Sequence, residues 1–239
     1  MKKVVFDTYE ELSAYAANMV ASELNSKSHY ILGLPTGGTP VGMYKEIANL
    51  YNKGVIDFSD VTTFNLDEYL GLTRDHDQSY YYFMNENLYS KVNLKPENIN
   101  IPNGCAEDID AEAAAYDEKI LEKGGIDLMI LGIGPNGHIG FNEPDEVLLS
   151  DTHTVDLTKE TIEANARFFD SIDDVPRRAI TMGVGSILKA KKILMLISGA
   201  NKKEITKKLF SGEISTNNPA SLLLLHPSVT VLVDKAAND

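Results

Sequence analysis

A chain of 239 residues with 43% hydrophobic content has enough apolar material for a substantial core and is not disordered. Lys and Arg total 22 against 35 Asp and Glu, a formal net charge of −13, which argues against nucleic acid or an anionic membrane as the main partner. The single cysteine, Cys105, excludes an internal disulfide and a cysteine-built zinc site.

The opening MKKVVFDTYEELSAY turns polar at Asp7, too soon for a signal peptide. Thr8 and Glu11 form a candidate capping box before Leu12, Tyr15, Ala16, Met19 and Val20, which lie at helical spacing. HYILGL (29–34) is a short apolar run stopped by Pro35, which predicts a buried strand. In the following PTGGTP, Thr39 reads as an N-cap with Pro40 at the first helical position, opening a helix over 40–52.

VTTFNL (61–66) predicts another strand, and residues 78–91 a helix. A helix over 111–123 ends at Gly124-Gly125. Strands are expected at 127–133, 191–198 and 229–234, with a helix around 201–211 between the last two. The apolar runs LMILGI and ILMLIS are far too short to span a membrane. A cytoplasmic location is therefore expected.

The alternation of buried strand and amphipathic helix predicts an α/β fold with a mainly parallel sheet. No repeat or linker divides it, so a single domain over residues 1–239 is expected. Ligands of such sheets gather at the carboxyl ends of the strands. PTGGTP, LDEYLGL, GPNGHIGFNEP and SGANKK each follow a predicted strand, so four loops can converge on one site.

GIGPNGHIGFNEP (132–144) imitates a dinucleotide-binding loop in Gly132-x-Gly134-x-x-Gly137. That motif must open directly into a helix facing a pyrophosphate. Gly140 and Pro144 oppose a first helical turn there, which argues against a nicotinamide cofactor. His138 sits between glycines, five residues from Glu143, and a histidine biased by a carboxylate is a proton shuttle. Alone, it would read as a core histidine bonded to a backbone carbonyl. Asn136 can orient the imidazole or a substrate hydroxyl, or serve only as a turn residue.

Taken together, LPTGGTP, FNLDEYLGL, SYYYFM, GIGPNGHIGFNEP, NARFF and SGANK resemble the glucosamine-6-phosphate deaminase (isomerase) family, in order and over nearly the whole chain. The resemblance implies a three-layer αβα sandwich related to ribose-5-phosphate isomerase and the CoA transferases. It implies conversion of glucosamine 6-phosphate and water to fructose 6-phosphate and ammonia.

Under that resemblance Asp67 is the base that removes the C2 proton; without it, Asp67 would read as a strand-end or capping aspartate. Asp67 and Glu68 should point to opposite faces of a strand and not act as a pair. His138 matches the ring-opening residue, with Glu143 beside it and Asn136 in a position that is aspartate in some relatives. Asparagine holds by hydrogen bonds but cannot stabilise an imidazolium by charge. Thr36, Gly37, Gly38 and Thr39 offer N–H groups and hydroxyls to a phosphate. Arg167 and Lys202 match the family's phosphate-binding cations, with Lys203 the alternative to Lys202. Tyr80 to Tyr82 and Phe83 read as core packing and loop support.

No metal or redox cofactor is expected, since there is no HExxH, no histidine cluster and no cysteine pair. The segment after FNEP, DEVLLSDTHTVDL, carries acids where larger relatives have the cations of an activator site, and the chain stops at VLVDKAAND. A short, non-allosteric type is expected, a monomer or small homo-oligomer whose partner is a small-molecule substrate. Two rivals are a 6-phosphogluconolactonase-like hydrolase and a sugar-phosphate-sensing domain. The first needs no base at position 67; the second should carry a DNA-binding motif for which the N-terminus leaves no room.

Overall fold

Strand β1 (Lys2–Phe6) leads through helix α1 (Tyr9–Leu24) to β2 (Ile31–Leu34), α2 (Val41–Asn52) and β3 (Thr62–Asn65). One residue later the chain enters β4 (Asp67–Tyr69), then α3 (Tyr80–Asn87), β5 (Ile99–Asn100), α4 (Ile109–Glu122) and β6 (Leu128–Leu131). The remainder holds β7 (His153–Asp156), α5 (Lys159–Asn165), β8 (Arg178–Thr181), α6 (Val184–Leu188), β9 (Lys192–Ile197), α7 (Lys203–Leu209), β10 (Val229–Asp234) and α8 (Lys235–Asn238). This computed structural model describes residues 1–166, 169 and 171–238.

Seven strands form one sheet in the order β1-β10-β9-β6-β2-β3-β5, with every pairing parallel. A parallel sheet has both faces covered, so its central strands are largely apolar and alternate residues serve opposite cores. Leu128 and Ile130 of β6 and Leu194 and Leu196 of β9 join the core beneath α1 and α2. Met129 and Leu131, with Ile193, Met195 and Ile197, enter the opposite core with Tyr116 and Ile120 of α4 and Ile205 and Leu209 of α7. Those two cores between three layers are the αβα sandwich. A second, antiparallel sheet, β4-β8-β7, stands beside it and pairs Asp67 with Thr181.

Several boundaries differ from expectation for local reasons. The strand expected at 29–34 begins at Ile31, because His29 adopts φ 55° and donates its N–H to Asp60. Pro40, not Thr39, caps α2, and no side chain contributes to that cap. Thr8 does accept from the Glu11 N–H at 3.2 Å, but Glu11 reaches back to the Asp7 N–H rather than closing the box on Thr8. The helix expected over 78–91 is α3 followed by a separate 3₁₀ turn at Tyr89–Lys91. The one expected at 201–211 opens as a 3₁₀ turn over Ala200–Lys202 before α7. Among the described residues no helix is long and apolar enough to cross a membrane.

Candidate active site

A cavity of about 320 Å3 opens at the carboxyl ends of the central strands. All four loops singled out in the sequence reach it. After β2 come Thr36, Gly37, Gly38 and Thr39; after β3, Asp67; after β6, His138 and Glu143; after β9, Lys202. Leu66, Tyr80, Gly140, Phe141 and Thr161 complete much of the wall.

Asp67 reaches the cavity because the backbone leaves the parallel sheet at Leu66 and enters β4. Its neighbour Glu68 turns the other way, as strand alternation requires, and accepts N–H bonds from Tyr69, Tyr80 and Tyr81 at 2.8–3.0 Å. Glu68 thereby ties the first turn of α3 to β4, beside the cap that Ser79 gives Tyr82. Asp67 is 7% exposed, and among the described residues its carboxyl accepts no hydrogen bond. Burial, with the negative Glu68 adding to it, pushes its pKa up to about 8.

The loop after β6 does not open into a helix. Gly137 and Gly140 hold φ values of 97° and 58°, and the Gly134 N–H closes a turn on the His138 carbonyl at 2.9 Å. The dinucleotide-like glycines therefore serve a tight loop. A Cβ on Gly134 would stand 2.2–2.4 Å from the His138 ring, so this glycine is needed for the imidazole to lie where it does.

His138 Nδ1 lies 3.2 Å from both carboxylate oxygens of Glu143. Asn136 donates to Glu143 Oε2 at 2.6 Å, and its own Oδ1 accepts the His138 backbone N–H at 3.2 Å. It thus braces the imidazole through Glu143 and the main chain, without a bond to the ring, and does not itself line the cavity. Thr161 Oγ1 donates to Glu143 Oε1 at 3.3 Å. Burial pushes the Glu143 carboxyl upward, but the bond and charge of His138, then the bonds from Asn136 and Thr161, outweigh it and hold its pKa below the usual glutamate range.

In the cavity wall supplied by the loop after β2, Gly37 has φ 95°, and a Cβ on Gly37 or Gly38 would meet nothing within 4 Å. The backbone here is bare and open. The N–H groups of Gly37, Gly38 and Thr39 meet no protein acceptor among the described residues. Tyr9 braces this loop from α1 by donating to the Thr39 carbonyl at 2.9 Å, and Tyr44 does so from α2 at Pro35. Lys202 lines the same cavity, and burial draws its ammonium below the usual lysine range. No carboxylate pairs with it among the described residues. Lys203, its alternative, does not line the cavity. Arg167 lies outside the described residues.

Sequence reasoning missed Thr161 and treated Tyr80 only as packing. Tyr80 does pack, stacked at 7° on Phe141, yet it also forms cavity wall. A lone threonine in LTKETIEAN carries no signal that would mark it. Among the described residues no cluster of three or more His, Cys, Asp or Glu could hold a metal ion.

The family model for glucosamine-6-phosphate isomerases/6-phosphogluconolactonase matches residues 6–232. A glucosamine-6-phosphate deaminase of Thermoanaerobacter pseudethanolicus is 55% identical over 237 residues, covering 99% of this chain and 94% of the relative. That of Halothermothrix orenii is 56% identical, covering 99% and 98%. A solved structure described as a monomeric glucosamine-6-phosphate deaminase superposes with a TM-score of 0.96 at 47% identity, covering 99% of this chain and 98% of its own. A 6-phosphogluconolactonase from Thermotoga maritima, at 19% identity and TM-score 0.78 over 98% of this chain and all of its own, shares the fold.

Proposed function

The chain belongs to the glucosamine-6-phosphate isomerase/6-phosphogluconolactonase family, and from that membership and the cavity we infer that it is a glucosamine-6-phosphate deaminase. It converts glucosamine 6-phosphate and water to fructose 6-phosphate and ammonia. The observation that carries this reading is the convergence of Asp67, His138, Glu143, Lys202 and the bare Gly37-Gly38 backbone on one hexose-phosphate-sized space.

The phosphate docks against the free N–H groups of the Thr36–Thr39 loop and the Lys202 ammonium, with Arg167 as the second cation. This leaves the sugar ring between Asp67 and His138. With Nδ1–H donated to Glu143, Nε2 of His138 is free to take the proton from the anomeric oxygen and deliver it to the ring oxygen. Ring opening exposes the C1 carbonyl, which acidifies C2.

Asp67 then removes the C2 proton. A carboxyl with a pKa near 8 is a far better base than an exposed aspartate, once it has lost its own proton. The substrate's C2 ammonium, brought beside it, favours that loss by charge. Reprotonation at C1 leaves a ketimine at C2; water adds there and ammonia departs. A lactonase would have no use for Asp67.

We read the molecule as a single-domain, cytoplasmic monomer. The monomeric state of the structural neighbour supports this. The test is to offer purified protein glucosamine 6-phosphate and follow ammonium and fructose 6-phosphate together, in wild type and Asp67→Asn. Equimolar release by wild type and its loss in the variant is expected. Ketose phosphate without ammonium would overturn the deaminase reading.

A further inference from the structure

Glu143 is held at both oxygens, and the second holder comes from a distant part of the chain. Asn136 binds Oε2 from within the same loop, whereas Thr161 binds Oε1 from the first turn of α5. Thr161 is itself fixed. Its Oγ1 accepts from Thr158 Oγ1 at 3.0 Å, so its one hydroxyl proton is left for the carboxylate, and its backbone N–H donates to the same Thr158 oxygen at 3.2 Å. Thr158 is the N-cap of α5. A relay of hydroxyls thus runs from a helix cap to the carboxylate that holds the imidazole.

We propose that Thr161 is a positioning residue: its hydroxyl locks the Glu143 carboxylate in the orientation that presents the His138 ring to the sugar. This deepens the deaminase reading and rests on it for the role of His138. The physical reason is rotational. A carboxylate held only at Oε2 by Asn136 can pivot about that bond, and the ring 3.2 Å from it pivots in turn. A second bond at Oε1 removes this freedom.

The experiment compares wild type with Thr161→Val, which keeps shape but loses the hydroxyl, and Thr161→Ser, which keeps the hydroxyl. Thr161→Val should lower kcat roughly tenfold, the effect of one lost hydrogen bond to a charged acceptor. KM and thermal stability should change little, and Thr161→Ser should restore most of kcat. A merely structural methyl contact predicts the reverse pattern: valine tolerated, serine impaired. Wild-type kcat in Thr161→Val, or serine failing as badly as valine, overturns the proposal. If the wild type released no ammonium from glucosamine 6-phosphate, the deaminase reading would fail instead. The 15N shifts of the His138 ring then decide alone: a change in Thr161→Val but not Thr161→Ser supports the lock, and identical shifts in all three overturn it.

Discussion

Asp67 is an acid kept in its neutral form by burial, and two pH dependences follow from its pKa near 8. As the proposed C2 base it must be ionised, so kcat/KM should rise with pH along an acid limb centred near 8. The limb in kcat should lie lower, because bound substrate brings an ammonium beside the carboxylate. Initial rates across pH 5–10 check both, and a kcat limb above that of kcat/KM would contradict the ordering.

For stability the sign is the opposite of the usual salt-bridged aspartate. Below about pH 4 both folded and unfolded chains hold this proton, and there is no cost. Between the ordinary value of 3.8 and about 8 the unfolded state releases it and the folded state does not, so stability falls as pH rises. Asp67→Asn, proposed to be inactive, should therefore melt near wild type at pH 4 and roughly 5 °C or more above it at pH 9. Gly134→Ala is the complementary case. The added methyl would overlap the His138 ring and must displace it from its place beside Glu143. A loss of roughly a hundredfold in kcat with little change in Tm is expected from such a displacement.

Among the elements, α3 depends most visibly on a single side chain. Glu68 takes three backbone N–H groups across the junction of β4 and α3, and an anion at a helix N-terminus is favoured by the dipole as well. Glu68→Gln retains one acceptor oxygen and loses the charge. It should cost about 1–3 kcal/mol in urea denaturation. It should also move the acid limb of kcat/KM to lower pH, since Glu68 helps raise Asp67. An unmoved limb would mean that burial alone sets the basicity of Asp67.

Legibility in the sequence followed element length. Val229–Asp234 was readable to the residue because five β-branched or apolar residues run unbroken up to Asp234. The three-residue β4 and four-residue β7 and β8 carry no period to detect, and β1, at the sheet edge and largely exposed, has an apolar run of only three residues, Val4 to Phe6. The small antiparallel sheet therefore went unforeseen, although it carries Asp67. The four-loop convergence was legible because strand ends in a parallel sheet all face one side. The brace from Thr161 was not, for hydrogen bonds between segments 18 residues apart leave no local pattern.

At the scale of the whole molecule, the net charge of −13 and an anionic substrate stand in apparent conflict. The cavity can resolve it locally: Lys202 and the bare N–H groups of Gly37 and Gly38 line it, and charges farther off than roughly 8 Å are screened at physiological salt. The exposed segment after Pro144 carries Asp145 and Glu146 and offers no cation for a regulatory phosphate. Saturation with glucosamine 6-phosphate should therefore be hyperbolic, and N-acetylglucosamine 6-phosphate should not activate. Sigmoidal curves relieved by that compound would refute this.

Asp67 and His138 are anchored to different slabs of the protein. The carboxyl belongs to the three-stranded sheet through Thr181, and the imidazole hangs from the large one after β6. The seam between them is stitched by Phe141, whose N–H donates to Thr181 Oγ1 at 3.1 Å, and by Asn142, which donates to the Met182 carbonyl at 2.8 Å. The gap separating Asp67 from His138, the proposed proton acceptor and shuttle, is thus a dimension of the seam and not of either slab. Mild urea or pressure that slackens this junction should silence turnover while the far-ultraviolet signal of both sheets is still intact, making enzymatic activity the earliest reporter of loosening in this fold.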